Sequence, residues 1–324
     1  MRLRVLTWSV GALVLLALVG AIWITQPVFG VRRRQAAGPQ PDPGRIERRV
    51  RELIGRFHPR DGGHPENMGR AAAWIAEELR RAGGSVSEQR FPAAGAEYVN
   101  VIAAFGPETP DVVAVGAHYD VAGEMPGADD NASGVGGLLE LADLLRGASL
   151  TRRVELVAFA NEEAPYFATP GMGSEVYAAS LAKSGRVVRG MICLEMLGCF
   201  SDEPGSQQLP FAVLKLVYPT RGNFIAVVGS AGGAGIVRTV KRAMREASEL
   251  PVRSINAPSF VHGVDLSDHS TFWRRNLPAV MITDTAFYRN PRYHTEHDTP
   301  DTLDYRRMAD VVAGVRSAVV DLAR

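Results

Sequence analysis

Residues 112–120 read VVAVGAHYD, six residues without a polar side chain followed by an imidazole, a phenol and a carboxylate. A short apolar run with no alternation is the pattern of a strand covered on both faces, which belongs to a parallel or mixed sheet between helices. Two further runs end the same way: VELVAFA (154–160) leads into Asn161-Glu162-Glu163, and GMICL (190–194) into Glu195. Around them helix and strand alternate. Met68, Ala71, Ala72, Ile75 and Leu79 recur at helical spacing and stop at Gly83-Gly84. Strands are predicted over 99–105, 112–117, 154–160, 188–194, 224–229 and 279–283, and helices over 134–146, 173–183, 236–247 and 305–322. The expected fold is an α/β three-layer α/β/α sandwich with a central mixed, mainly parallel sheet, preceded by one transmembrane helix.

The transmembrane expectation rests on the N-terminus. Between Val5 and Thr25 there is no charge, and Leu, Val, Ala, Ile and Trp dominate, which is about the length a helix needs to cross a bilayer core. A cleavable signal would carry a shorter apolar stretch and small residues at a cut site. Here Trp23, Ile24 and Thr25 run into Gln26-Pro27, which fits an uncleaved anchor better. Arg2 and Arg4 before the segment and Arg32, Arg33 and Arg34 after it give the positive-inside rule no preference. A lone N-terminal span ahead of nearly the whole chain acts as a signal anchor, so the remainder is expected outside the cytoplasm. Residues 35–44, QAAGPQPDPG, read as a Pro/Gly-rich tether. The expected division is an anchor over 1–30, a linker over 31–44 and one catalytic domain over 45–324.

With 324 residues, 46% of them hydrophobic and 22% charged, the chain can bury a substantial core. A net charge of +1 gives no global electrostatic case for a nucleic-acid partner. Only Cys193 and Cys199 are present, too few for a disulfide scaffold and spaced unlike a Cys-based zinc site. A disulfide between them and a pair of buried thiols are both open.

The chemistry sits where the apolar runs stop. In open α/β sheets ligands bind at the carboxyl ends of the strands, so His118, Asp120, Glu162, Glu163 and Glu195 are expected to share one crevice. The loop GADDNASG (127–134) presents Asp129 and Asp130 to it, and YHTEHDTP (293–300) contributes His294 and His297 as candidate imidazoles. Each motif alone has an ordinary reading: a histidine at a strand end is commonly a hydrogen-bonded structural residue, and paired acids are commonly a helix cap. Together they supply the imidazole and carboxylate mixture that suits zinc. So many carboxylates in one cleft would repel one another unless a cation neutralised them.

GAHYD, GADDNASG, FANEE, CLEMLG and YHTEHDTPDTLDY, with SDHSTFW (267–273) and YVNVIAAFG (98–106), resemble in order and spacing the co-catalytic zinc metallopeptidases. That family, peptidase family M28, includes bacterial leucyl aminopeptidase, aminopeptidase Y and glutamate carboxypeptidase II. The likeness spans about residues 48–324, without an inserted protease-associated domain. It implies two zinc ions per chain, His118 and Glu195 on one, Glu163 and His294 on the other, and Asp130 bridging both, since only Asp130 stands in the Asp-x-x-Ser-Gly register with Ser133-Gly134. The same likeness favours His294 over His297. It implies Glu162 as general base, Asp120 as the carboxylate that orients the His118 ring, and Tyr293 as a substrate contact near the oxyanion. Asp268 and His269 are expected in the cleft wall.

The resulting expectation is a zinc-dependent aminopeptidase acting on peptides with a free N-terminus, held to a membrane by its N-terminal helix, with no nucleic-acid partner. Two readings stand beside it: a glutaminyl cyclase-like acyltransferase with one zinc, and a non-catalytic relative in which the fold serves binding. Donors for two metals favour the first, and retention of all five donors with Glu162 argues against the last.

Overall fold

VVAVGAH forms the middle of the molecule. The computed structural model describes residues 15–33 and 38–324. In it β3 (Asp111–His118) lies between β4 (Arg153–Phe159) and β5 (Val187–Glu195), parallel to both. The other strands are β1 (Ser85–Ala93), β2 (Ala96–Phe105), β6 (Ile225–Ser230), β7 (Val252–Ala257) and β8 (Ala279–Thr283). They complete one eight-stranded sheet in the order β1-β2-β4-β3-β5-β8-β6-β7. The centre, β4-β3-β5-β8, is parallel; β1-β2, β2-β4 and β6-β8 pair antiparallel, and β6-β7 parallel. The sheet is therefore mixed and mainly parallel.

Alternation along β3 divides the core. Val113, Val115 and Ala117 pack with α2 (Pro43–Phe57), α3 (Pro65–Arg81), α4 (Gly134–Leu145), α6 (Ala234–Ala247) and α8 (Tyr305–Leu322). Val112 and Ala114 point the other way, into a smaller cluster with α5 (Gly173–Lys183) and α7 (His269–Trp273). Helix starts follow local chemistry: Pro43 and Pro65 open α2 and α3, and the Asp42 and Asp304 carboxylates accept from the N–H groups of Gly44 and Arg307. Four elements were not expected from the sequence: α2, α7, β1 and β7. β1, SVSEQRFPA, is a mostly exposed edge strand with a proline, and β7, VRSINA, is the opposite edge; neither carries an apolar run.

On the second face α7 packs against β5 and β8, while β6 and β7 are roofed by loops. That gap becomes a pocket.

Residues 15–25 form helix α1. Among the described residues no helix is long and apolar enough to cross a membrane, and residues 5–14 of the expected span lie outside them. α1 ends on the domain rather than on a free tether. Thr25 O accepts from Lys241 Nζ (2.7 Å) and Ser254 Oγ (2.7 Å), Val28 O accepts from Arg245 (2.8 Å), and Gln26 and Val28 are buried. Helix α2 begins at Pro43, within the stretch 31–44 expected as a linker.

Candidate metal centre

Three neighbouring parallel strands, β4, β3 and β5, deliver their carboxyl ends to one crevice. β3 ends in His118 and continues to Asp120; β5 ends in Glu195. Sharp backbone turns bring the rest into line. Asn161 (φ 59°) turns the chain after β4 so that Glu162 and Glu163 face inward, Met196 (φ 52°) turns it after Glu195, and His294 itself sits at φ 56°. Left-handed backbone at non-glycine residues is unfavourable and persists where surrounding structure dictates it.

Two donor sets abut. In the first, ligand atoms of His118, Asp130 and Glu195 all lie within 4.8 Å of one another; in the second, those of Asp130, Glu163 and His294 do. Asp130 belongs to both: Oδ1 is 3.3 Å from His118 Nε2 and Oδ2 is 3.1 Å from His294 Nε2. Glu195 Oε2 is 3.4 Å from His118 Nε2, and Glu163 Oε1 is 3.2 Å from His294 Nε2. Glu162 Oε2 lies farther off, 3.9 Å from His118 Nε2. His297 is on the surface, its side chain 76% exposed.

The electrostatics of the protein groups alone are unbalanced. Asp120, Asp130, Glu162, Glu163, Glu195 and Asp268 are buried around two imidazoles. Burial pushes Glu162 well above the usual carboxylate range, and pushes Glu163 to about 7, where the Asp130 charge adds to it. Asp268 is also driven to about 7 by burial. Burial works against charge on His294, but Asp130 and Glu163 outweigh it and raise the ring to about 10. Asp130 goes down despite burial, because His118 and His294 both face it. His118 Nδ1, Asp130 Oδ1 and both oxygens of Asp268 are buried without a hydrogen-bond partner. Of these, Asp130 Oδ1 faces the His118 Nε2 side of the first donor set; such a group is costly to leave unpaired, and divalent cations would satisfy it and neutralise the excess charge. Imidazole and carboxylate in two tight sets fit zinc.

A scaffold of hydrogen bonds holds this arrangement. Asp120 Oδ1 lies 3.4 Å from His118 Nδ1, and the same carboxylate accepts from the backbone N–H groups of Glu162 (3.0 Å) and Glu163 (2.9 Å). It thus positions two strand ends at once. Asn131 donates to Leu194 O and accepts from Met196 N, and Ser133 Oγ accepts from Leu197 N, which ties the Asp130 loop to the end of β5. A side chain at Gly134 would meet Asn131 Oδ1 at 2.3 Å, so the Asp-x-x-Ser-Gly pattern has a packing reason. Asp298 accepts from the N–H groups of Asp129 and Asp130, and burial drives it to about 7. Arg60, fully buried, donates to the carbonyls of Tyr119, Pro126 and Gly127 (2.8–2.9 Å) and so clamps the loop between His118 and Asp130. Sequence reasoning gave no role to Arg60, Asn131 or Asp298, because their partners lie tens to hundreds of residues away.

Asp129, next to the shared carboxylate, joins a different group with Cys199 and Asp284. Its oxygens accept from Gly198 N (2.9 Å) and Asn290 Nδ2 (2.8 Å), while Asp284 accepts from Cys199 N (2.7 Å) and Ala286 N (3.0 Å). Cys193 and Cys199 are both free, buried thiols. His269 Nε2 donates to Val264 O (2.8 Å) and burial lowers the ring to about 4, so it is a neutral wall residue.

Tyr293 stacks on His294, ring centroids 3.8 Å apart. Burial and the surrounding carboxylates raise its hydroxyl well above the usual phenol range, so it is a donor at neutral pH. Together with Glu195 it borders the pocket under the loops, an open space of about 910 Å³ floored by Phe224, Ala226, Val228 and Met281.

The family model described as peptidase family M28 matches residues 100–319. An Escherichia coli (strain K12) relative, "Uncharacterized protein YfbL", is 46% identical over 281 residues, 84% of this chain and 86% of its own. Leucine aminopeptidase 1 of Trichophyton rubrum is 24% identical, covering 78% of this chain and 67% of its own. Among solved structures, a zinc aminopeptidase from Bacillus subtilis superposes with a TM-score of 0.69 at 16% identity, over 88% of this chain and 95% of its own. A Bacteroides thetaiotaomicron glutaminyl cyclase does so with a TM-score of 0.68 at 20% identity, over 88% and 99%. The chain belongs to peptidase family M28.

Proposed function

We propose that this chain is a zinc-dependent aminopeptidase holding two zinc ions. The observation that carries the proposal is the shared carboxylate: Asp130 stands between two complete donor sets, His118 with Glu195 and Glu163 with His294. When bound, zinc supplies an acidified water and an electrophile for the scissile carbonyl. The protein does the rest. Glu162, close to His118 but in neither donor set, accepts the water proton and delivers it to the leaving amine; its burial gives it the raised affinity such a base needs. Asp120 holds the His118 ring and the turn that presents Glu162. The Tyr293 hydroxyl donates towards the developing oxyanion. The apolar pocket between Glu195, Tyr293 and the floor of β6 and β8 receives the N-terminal side chain, which favours large apolar residues. Leucine aminopeptidases among the relatives support that substrate class.

A glutaminyl cyclase-like reaction is the second reading, since a cyclase shares the fold. One experiment separates them. The full chain is incubated with aminoacyl, N-blocked and N-terminal glutaminyl peptides, with and without a chelator, and its zinc is counted. Two zinc ions and chelator-sensitive release of free N-terminal residues are expected. One zinc ion, with ammonia released from glutaminyl peptides and no peptide-bond cleavage, would replace this reading by the cyclase.

We further propose that residues 5–25 cross a membrane and place the domain outside the cytoplasm. The uncharged apolar length supports it, as does the exposure of Leu15, Leu16, Leu18, Val19 and Ile22 on α1, which no other described residue covers. Extraction of membranes with carbonate tests the span: the chain should stay in the pellet, and release into the wash would remove it.

A further inference from the structure

Two loops roof the apolar pocket beside the metal centre, 209–218 and 258–266. In the first, a single 3-10 turn (Ala212–Leu216) sends only Leu214 inward. Its other apolar side chains face outward: Phe211 is 52% exposed, Val213 65% and Leu216 83%, and Phe260 on the second loop is 84% exposed. Side chains of this size left open on adjacent loops mark an interaction surface.

Position and charge identify what covers them. Tyr218, at the end of the first loop, donates to Ser254 O (2.6 Å) on the edge strand β7, and Ser254 Oγ donates to Thr25 O (2.7 Å). Thr25, the last residue of the apolar stretch, is therefore bonded to the same strand residue that holds the end of the first loop. Loops 209–218 and 258–266 contain Lys215 and one acid, Asp265, and are flanked by Arg221 and Arg253. Helix α6, on which residues 25–28 dock, lies on the other face of β6 and β7 and exposes Arg238, Arg242 and Arg245 there. Among the described residues Lys215, Arg242 and Arg253 are exposed and in no ion pair. Large apolar side chains flanked by Lys215, Arg221 and Arg253, at the edge strand where the end of a membrane-length apolar segment docks, are the composition of a surface that sits at an anionic bilayer.

We propose that loops 209–218 and 258–266 form a second, interfacial membrane contact, seated in the headgroup region of an anionic bilayer beside the point where residues 5–25 meet the domain. It rests on the reading of residues 5–25 as a span. The roof of the pocket then lies against the lipid, and the chains that reach the metal centre are those presented at the membrane surface.

The test uses the full chain reconstituted in phosphatidylcholine vesicles with and without phosphatidylglycerol. Nitroxide labels are placed through Leu216→Cys, Phe260→Cys and, on the opposite edge strand, Ser87→Cys. Collision with oxygen and with a water-soluble nickel chelate reports depth. With phosphatidylglycerol present, the Leu216 and Phe260 positions should be accessible to oxygen and shielded from nickel, and the Ser87 position the reverse. Lys215→Glu with Arg253→Glu should remove that shielding. A chain that floats with the vesicles while both loop labels collide with nickel as freely as the Ser87 label overturns the loop contact and leaves the span standing. A chain that does not float overturns both. Shielding from nickel that persists without lipid, with or without label–label broadening, shows that protein covers the patch and likewise overturns the proposal.

Discussion

Asp129 and Asp130 are neighbours in sequence, both buried, and both part of an acidic cluster with metal-ligand spacing, yet the clusters differ in their partners and in their hydrogen bonds. Around Asp129 the carboxylate oxygens of Asp129 and Asp284 accept from Gly198, Cys199, Ala286 and Asn290. Around Asp130 the donors stop short: Asp130 Oδ1 is buried and unpartnered. Burial pushes Asp129 well above the usual carboxylate range and Asp284 to about 6, so the first cluster can keep a proton between its carboxyl groups. Asp130 is held low by two histidines and stays charged. A satisfied cluster of acids holds loops together; an unsatisfied one is built for a cation. Both clusters bring their ligand atoms equally close, but only the Asp130 cluster contains imidazoles, and hydrogen-bond accounting separates them further.

The largest effect is expected from breaking the comparison directly. Asp130→Ala should empty both zinc sites and drop activity to background, with a melting temperature above or equal to that of the zinc-free parent, since a buried charge is removed. Asp129→Ala should retain two zinc ions and lose about 2–5 kcal/mol of stability, because the Gly198 N–H and the Asn290 amide are left unpaired. Zinc analysis and thermal melts of the pair decide it, and exchanged phenotypes would reverse the roles given to the two clusters.

Within the metal centre, Glu162→Gln and Glu163→Gln sharpen the boundary between ligand and base. For Glu162→Gln turnover should fall by roughly 10²–10⁴ with zinc content intact. For Glu163→Gln zinc occupancy should fall, and excess zinc should partly restore activity by mass action. Equal zinc loss in both variants would place Glu162 among the ligands. A smaller effect, about 10–100-fold in zinc affinity or activity, is expected for Asp120→Asn, which loosens both the His118 ring and the Glu162-Glu163 turn. Unchanged affinity and turnover would leave Asp120 with packing alone.

The smallest effect concerns a histidine that belongs to neither cluster. His269 is lowered to about 4 by burial, whereas an unfolded chain protonates near the ordinary histidine value, about 6.5. The unfolded state binds more protons between these values, so stability is complete above about pH 6.5 and is lost as pH falls towards 4. The loss is on the order of 1–3 kcal/mol. Urea midpoints of His269→Gln should show a flatter acid limb than the parent, and identical slopes would show that His269 is not the group responsible.

Much of the fold was legible where strands are covered on both faces. VVAVGA and VELVAFA have nothing else to do but lie inside a sheet, and the helical spacing from Met68 to Leu79 matches α3. The two edge strands were not, because β1 alternates with exposed polar residues and β7 places Arg253 and Ser254 in a six-residue strand. α7, five residues long, is too short to show a period.

For the centre itself, chain order and residue chemistry pointed to His118, Glu162, Glu163 and Glu195, because each follows on an apolar run, and to His294 and His297 alike in a dense polar motif, between which the family resemblance favoured His294. Composition alone could not say which of Asp129 and Asp130 lies between the imidazoles. That was decided by Asp298, which fixes both backbone N–H groups from 168 or 169 residues away, and by Arg60, which clamps the preceding loop across 59 to 67 residues. The pocket was invisible for the same reason: loops 209–218 and 258–266 have no periodicity, and only their meeting over β6 and β7 makes a cavity. Local sequence determines what a strand end can offer, since side-chain chemistry and alternation are properties of neighbours in the chain. Which offered groups are satisfied, and which are left facing one another, depends on hydrogen-bond donors brought from distant segments, and only the folded chain supplies those.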